Sequence, residues 1–265
     1  MDQPGLRPGE FGHRRDRDRM CAVVIYPVPD ADYITVDLSE RSAHATDALF
    51  AAIPYRQNTR SLYDGRALPL SERERIESVT VGEGLSRLIF TDPASKEAIL
   101  EYVRAGDRHQ FADPSFVNEL VSWVRFNKPE AFHTLDGLYS RCSGNPEVPR
   151  WLGRRFLTSA SAGAESDKDT GEIRSASGLI VIAAARDDKR HWIESGRLYE
   201  RLALMLTASG VKTSFLNQPV EVAEIRAQLQ SHLGLGAALP QLLMRFGYAD
   251  PMPRSLRRPL SEVLA

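Results

Sequence analysis

Residues 178–185 read GLIVIAAA, eight positions without a polar side chain. A run of that kind reads as a strand buried on both faces, and such a strand needs other strands beside it and helices above and below. The residues after it supply both. Residues 193–209 read as a long helix with Leu198, Leu202, Leu204 and Leu206 among its apolar positions, and Gly210 stops it. Residues 211–215 read as a second strand, 222–230 as another helix, and 241–246 (QLLMRF) as a last strand. Upstream, 22–26 and 33–38 read as short strands joined by a turn at 27–30, and 46–53 as an alanine-rich helix that ends before Pro54. Ser71 and Glu74 have the spacing of a capping box at a helix entry, and residues 86–90 form a strand candidate. Helices near 94–105 and 114–125 carry Ala98, Ile99, Tyr102 and Val103, then Phe116, Leu120, Val121 and Val124, each set on one face. Residues 132–139 read as a further helix. Residues 140–177, rich in Gly, Ser, Arg and Pro, read as a long, partly irregular excursion, a lid or a helix-rich insert. This order of helices and strands argues for a layered α/β or α+β domain.

Composition narrows the function classes. With 34 Lys+Arg against 35 Asp+Glu, the net charge of −1 offers no surplus for gripping nucleic acid. No apolar run approaches the roughly 20 residues that span a bilayer. Two cysteines, Cys21 and Cys142, make no disulfide framework, so a reducing, cytoplasmic setting is expected. Arg14-Arg15 is followed by Asp16 and Asp18, which is wrong for an export signal. Residues 1–20 are expected to be disordered and residues 21–265 to form one domain. The six histidines are scattered and there is no CxxC or HExxH, so no metal is expected. No GxSxG elbow occurs, and Gly234-Leu235-Gly236 reads as a helix stop rather than a nucleotide loop.

Two stretches carry chemistry. Arg56-Gln57-Asn58-Thr59-Arg60 comes directly after an apolar helix. If a helical turn continues there, both guanidinium groups lie on one side with the Asn58 amide between them, a receptor for a phosphate dianion. Arg257 and Arg258 would complete such a clamp from far along the chain. The plain alternative is a solvated basic turn. Leu216-Asn217-Gln218-Pro219 leaves a strand, and Pro219 biases Gln218 toward extended backbone. Exposed amides at such a strand end hydrogen-bond a ligand ring, or the segment is an ordinary connection.

Arg56-x-Asn58-x-Arg60, then Tyr63 and Leu68-Pro69-Leu70, resembles the Arg-x-Ser-x-Arg opening of the nitroreductase-like flavoproteins, with Asn58 in place of Ser and the aromatic displaced by one. The runs 195–204, 216–221, 240–248 and 257–264 resemble the Acg-type actinobacterial branch, in which two such halves are fused. The resemblance spans roughly residues 20–265 and is strongest after residue 178. It implies an α+β fold with a central mixed or antiparallel sheet flanked by helices. It also implies FMN as cofactor. Its phosphate would be held by Arg56, Asn58 and Arg60, aided by Arg257 or Arg258, and its ring edge contacted by Leu216, Asn217 and Gln218. NADH or NADPH would be the donor and a nitroaromatic or quinone the acceptor, with no protein nucleophile and a homodimer as the assembly. The Ser-x-x-Asn-x-Gln-Pro-Trp segment of the first half in fused members has no counterpart here. That departure leaves several outcomes open: a cleft completed by a second chain, a non-catalytic FMN-sequestering protein, and a truncated paralogue without cofactor.

Overall fold

The computed structural model describes residues 20–27, 34–41, 48–159 and 162–263. The expectations for residues 1–19 and for 28–30 of the turn lie outside them, while Met20 and Pro27 belong to a strand. A two-stranded antiparallel ribbon comes first, β1 (Met20–Pro27) with β2 (Ile34–Arg41). Helices α1 (Ala48–Ala52) and α2 (Leu70–Ser78) precede β3 (Leu85–Phe90). A helical region comes next: α3 (Pro93–Ala112), α4 (Pro114–Trp123), the short β4 (Val124–Arg125), α5 (Lys128–Thr134), the short β5 (Leu138–Tyr139), α6 (Arg150–Ser159) and α7 (Ala162–Ser175). The chain then runs through β6 (Gly178–Ala184), α8 (Lys189–Ala208), β7 (Lys212–Phe215), the single turn α9 (Gln218–Glu221), α10 (Ala223–His232) and β8 (Leu239–Gly247).

The central sheet has the order β3-β6-β8-β7, antiparallel at each step. Strand β6 is buried at all seven positions because it is paired on both sides and covered on both faces. Its side chains alternate between two cores, as period-two geometry requires. Ile180 and Ile182 pack with Ile76 of α2 and Leu198, Leu202 and Leu206 of α8 on one face. Leu179 and Val181 pack with Ile99, Leu100 and Val103 of α3 and Ile173 of α7 on the other. Each fully buried aliphatic side chain contributes roughly 1.5–3 kcal/mol. The result is an α+β sandwich of helices about an antiparallel sheet. Gly210, at φ 75°, turns the chain from α8 into β7 in a conformation that Gly adopts freely.

Three local expectations are corrected, and for residues 140–177 the helices decide between a lid and a helix-rich insert. Helix α2 is entered at Pro69 with no side-chain cap, so Ser71 lies inside the helix and makes no capping box. Residues 132–139 are not one helix: Leu135, at φ 53°, ends α5 in the left-handed region, and β5 comes after it. Residues 140–177 are mainly helical, and α7 buries Ile173 against the sheet, so that part is core rather than cover. Finally, the basic motif at 56–60 is not helical.

Candidate functional site

Pro54 opens a 3-10 turn at Ile53–Tyr55, and at Arg56 (φ −63°, ψ 136°) the chain turns extended. It then runs beside β7: Asn58 bridges Thr213 in parallel, and the Thr59 N–H donates to the Thr213 carbonyl at 2.9 Å. Arg56 and Arg60 are therefore not on a helical turn. Four residues of extended chain separate their Cα atoms by about 13 Å, against about 6 Å along a helix. Arg56 Nε pairs with Glu200 of α8 at 3.1 Å. Asn58 Oδ1 accepts from the Tyr199 hydroxyl at 3.4 Å, and burial pushes that phenol's pKa up. Arg60 is half-buried and reaches the other way, donating to the Ser143 hydroxyl at 3.3 Å in the 3-10 turn Ser140–Ser143. No carboxylate pairs with it among the described residues.

Arg60 opens on a cavity of about 480 Å³. One wall comes from β7 and the turn after it: Ser214, Phe215, Asn217, Gln218 and Glu221. The floor is Asp107, Gln110 and Phe111 of α3 with Lys168, Asp169 and Glu172 of α7. The rest of the lining is largely apolar, with Phe116, Leu120, Val124, Leu138 and Leu157 beside the polar Ser140, Asn145 and the Arg60 contact Ser143. The apolar face of α4 expected from its spacing thus borders a cavity as well as a core.

The connection after β7 is fixed from β8. Leu216 N–H donates to the Leu243 carbonyl and Asn217 Oδ1 accepts from Leu243 N–H, both at 2.9 Å. Leu216 is 1% exposed and sits in the core on the α3 side, so its side chain is not part of the cavity wall. Gln218 is not extended: it begins α9, with Pro219 in the first turn, where a missing N–H costs nothing. Gln218 Nε2 donates to Asp169 Oδ2 at 2.6 Å, and its Oε1 is buried without a partner. A Cβ at Gly106 would stand 2.7 Å from the Gln218 carbonyl carbon, so the close approach of α3 to this wall requires glycine.

A buried ion pair underlies the motif. Arg245 of β8 is fully buried, and its Nη2 is 2.6 Å from Glu172 Oε2. The same nitrogen donates to the carbonyls of Thr59 (3.3 Å) and Ser61 (3.0 Å), the residues on either side of Arg60. The guanidinium lies 4.1 Å over the Tyr63 ring, and the Tyr63 hydroxyl donates to Thr59 O at 3.2 Å. Burial raises the Tyr63 pKa well above the ordinary phenol value, which keeps that hydroxyl protonated as a donor.

The C-terminal tail docks on Gln57. Gln57 Nε2 donates to Met252 O at 2.8 Å, and Met252 N–H donates to Gln57 Oε1 at 3.0 Å. Ser255 and Arg257 then lie beside Cys142. Burial pushes the Cys142 thiol up, against a hydrogen bond with Ser255 and the positive charge of Arg257, Arg60 and Arg141. Arg257 therefore shares a neighbourhood with Arg60. Arg258 goes elsewhere: its charge falls on Asp136, whose carboxyl Arg125 already holds low at 2.7 Å. Of the eight sequence candidates, Arg60, Asn217 and Gln218 line one cavity and Arg257 approaches it. Arg56 and Asn58 face α8, Leu216 is core, and Arg258 turns away.

A second, more open groove of about 610 Å³ lies between residues 61–66 and 248–253. Its Arg66 and Asp64 satisfy each other at 2.7 Å, so it presents no unmatched donor set. Among the described residues no cluster of His, Cys, Asp and Glu is arranged to hold a metal ion. Nor is any helix among them long and apolar enough to cross a membrane.

Sequence reasoning missed Gln57, Gly106, Glu172 and Arg245. Arg245 alone carried a signal, as the one charge inside the apolar run 241–246.

No family model matches the chain. In sequence it is 24% identical over 266 residues to a Mycobacterium tuberculosis protein provisionally named an NAD(P)H nitroreductase, covering 96% of this chain and 69% of that protein. In structure it is similar to the FMN-dependent nitroreductase NfnB of Mycobacterium smegmatis, solved with NADPH (TM-score 0.51, 13% identity, 82% of this chain and 97% of that one). It is equally similar to a nitroreductase with bound FMN from Desulfitobacterium hafniense (TM-score 0.51, 10% identity, 83% and 98%). An iodotyrosine deiodinase bound to FMN and 3-iodo-L-tyrosine superposes at a TM-score of 0.50, with 13% identity over 80% of this chain and 95% of that one. The chain is nitroreductase-like: it has the α+β fold of these flavoproteins.

Proposed function

We propose that the chain binds FMN in the cavity beside Arg60 and acts as an NAD(P)H-dependent flavin oxidoreductase on nitroaromatics or quinones. The observation that carries this is Arg60. On a nitroreductase-like fold, a half-buried guanidinium without a carboxylate partner among the described residues faces a cavity that Asn217 and Gln218 also line.

The donor set fits the group. Arg60, with Arg257 brought near by the tail, would hold the phosphate, since planar guanidinium forks match phosphate oxygens. Arg56 and Asn58, already engaged by α8, would take a lesser part. The unpartnered Gln218 Oε1 suits a ring N–H, and the Asn217 amide Nδ2 suits a ring acceptor. Bound FMN would supply the redox chemistry, taking a hydride from the nicotinamide and passing electrons to the acceptor. The chain's own part is to anchor, orient and enclose. Arg245 fixes the carbonyls that flank Arg60, and the tie from Asn217 to Leu243 fixes the ring-facing loop. A second copy of the chain is the assembly we favour, and the exposed Phe50, Ile53 and Tyr55 offer it an apolar face. The cytoplasm is the compartment we assign, in keeping with the free thiol of Cys142.

A second reading, FMN held without turnover, draws support from the carboxylates on the cavity floor. Negative charge near an electron-accepting ring opposes its reduction.

The test is an absorption spectrum and FMN titration of the purified chain, followed by NADPH oxidation with a nitroaromatic acceptor. The proposal expects stoichiometric FMN and turnover; bound FMN that NADPH does not reduce selects the second reading. Arg60→Ala should weaken FMN by about 2 kcal/mol, roughly thirtyfold, the scale of a charge-assisted hydrogen bond. A chain that takes up no FMN removes both readings.

A further inference from the structure

We propose that an apolar strip running along α4 and out to Leu138 receives a flexible apolar chain, so that the second ligand of the cavity is an amphiphile, a quinone head with an alkyl or isoprenoid chain attached. The role as acceptor rests on the proposed function; binding of the chain itself needs no flavin.

Helix α4 has the apolar spacing of a core helix, yet of its ten residues only Val121 is buried. Phe116 and Leu120, four apart and so on one side of the helix, line the cavity instead. Val124, four further on, continues the line into β4 and stands opposite Leu138 in the parallel pairing of β4 with β5. Leu157 of α6 and Phe111 of α3 complete the strip, the latter edge to face with Phe116 at 6.0 Å. None of these six side chains is buried.

The second observation is where the strip leads. It extends about 12 Å from Phe116 to Val124, and Leu138 beside its end is 37% exposed. It therefore runs from inside the cavity to solvent. A ligand confined to the cavity leaves such a path bare; a chain trailing outward from a bound head covers it. Apolar surface left open to water is unfavourable, and a chain laid along it regains that loss. Polar groups from β7, α9 and α7 line other parts of the same cavity, so head and chain each meet a matching surface. Of the two acceptor classes proposed above, the quinone is the one commonly built with a long apolar substituent. Its reduction to the quinol takes a hydride equivalent from the nicotinamide donor and a proton from water, and leaves the chain untouched.

The probes are decylubiquinone and the same dimethoxy-methyl-benzoquinone without its decyl chain. Each is titrated by calorimetry into the purified full chain, with and without FMN. The tailed quinone should bind about tenfold more tightly or better, since each buried methylene is worth roughly fourfold. Leu120→Gln should weaken the tailed quinone about tenfold and leave the chainless one unchanged. Leu138→Gln, at an exposed position, should do the same to a lesser degree and keeps the test available if Leu120→Gln does not fold. Leu70→Gln, at an exposed leucine of α2, should alter neither, which separates the strip from general adhesion of the chain. Equal affinity for the two probes, or a chain preference indifferent to the folded strip variants, overturns the inference. So does a preference that fades as protein concentration rises, because a second copy then covers the strip. FMN titrations and NADPH oxidation with the same samples separate the two claims. Turnover of a nitroaromatic without a chain preference leaves the proposed function standing alone. A chain preference without FMN uptake removes the function and leaves the strip as an amphiphile site.

Discussion

Arg245 is the residue on which the site most depends, although it touches no ligand-facing surface. A fully buried guanidinium is tolerable only because Glu172, two carbonyls and the Tyr63 ring surround it. Truncating one partner leaves the other charge buried and unmatched. Arg245→Met should therefore destabilise the chain by about 3–5 kcal/mol, and a Glu172→Leu change added to it should restore part of that loss. Urea denaturation of the two single variants and the double variant checks this; simple additivity would show that the pair is not coupled. At this scale the sequence was partly legible. Arg60, Asn217 and Gln218 are residue types suited to anion and amide recognition, and they do share a cavity. The partners that orient them come from strands and helices far along the chain, and no local spacing encodes that. Leu216 shows the opposite error: within one loop, adjacent side chains point to opposite sides, and the motif alone does not say which one enters the core.

Elements with strong periodicity were read correctly, because their pattern reports which face is buried. The all-apolar β6 and the amphipathic α3, α4 and α8 are such cases. Short elements were not, because capping and a single left-handed residue decide them, as at Pro69 and Leu135. The basic motif failed for a related reason: Pro54 ends the helix, and pairing with β7 then outweighs local helical preference. The connection from β6 to α8 offers a test of how elements are joined. Asp187 there accepts from Arg226 of α10 at 2.8 Å, Trp192 of α8 at 2.6 Å and Gln241 of β8 at 3.2 Å. The Arg226 hydrogen bond, followed by that from Trp192, draws its pKa down to about 2. A carboxyl whose folded value is depressed stabilises the fold above its unfolded value near 4, and that contribution is lost as pH falls toward 2. Asp187→Asn should therefore cost about 1 kcal/mol or less at pH 6, since the pair is partly screened by solvent, and nothing below pH 2. Denaturant midpoints measured from pH 2 to 7 give the answer, and a penalty independent of pH would assign the loss to packing instead.

Across the whole molecule, the C-terminal tail returns to the segment that begins the site. Two reciprocal hydrogen bonds between Gln57 and Met252 hold it. The resemblance to fused flavoproteins implies that terminal basic residues converge on the motif; Arg257 does so and Arg258 does not. Gln57→Ala should release the tail, which would show as faster proteolytic cleavage after residue 250 and FMN binding weakened several-fold, with the melting temperature nearly unchanged. Unaltered cleavage would mean that other contacts fix the tail.

The run from Arg56 to Arg60 also shields the outer flank of β7, through the Asn58 bridge and the Thr59 amide. Strand flanks left bare recruit like strands from neighbouring molecules and seed fibrils. The segment that covers this flank also carries Arg60 to the cavity proposed to hold an anion. A substitution that loosened this segment would therefore bare a strand flank as well as displace Arg60.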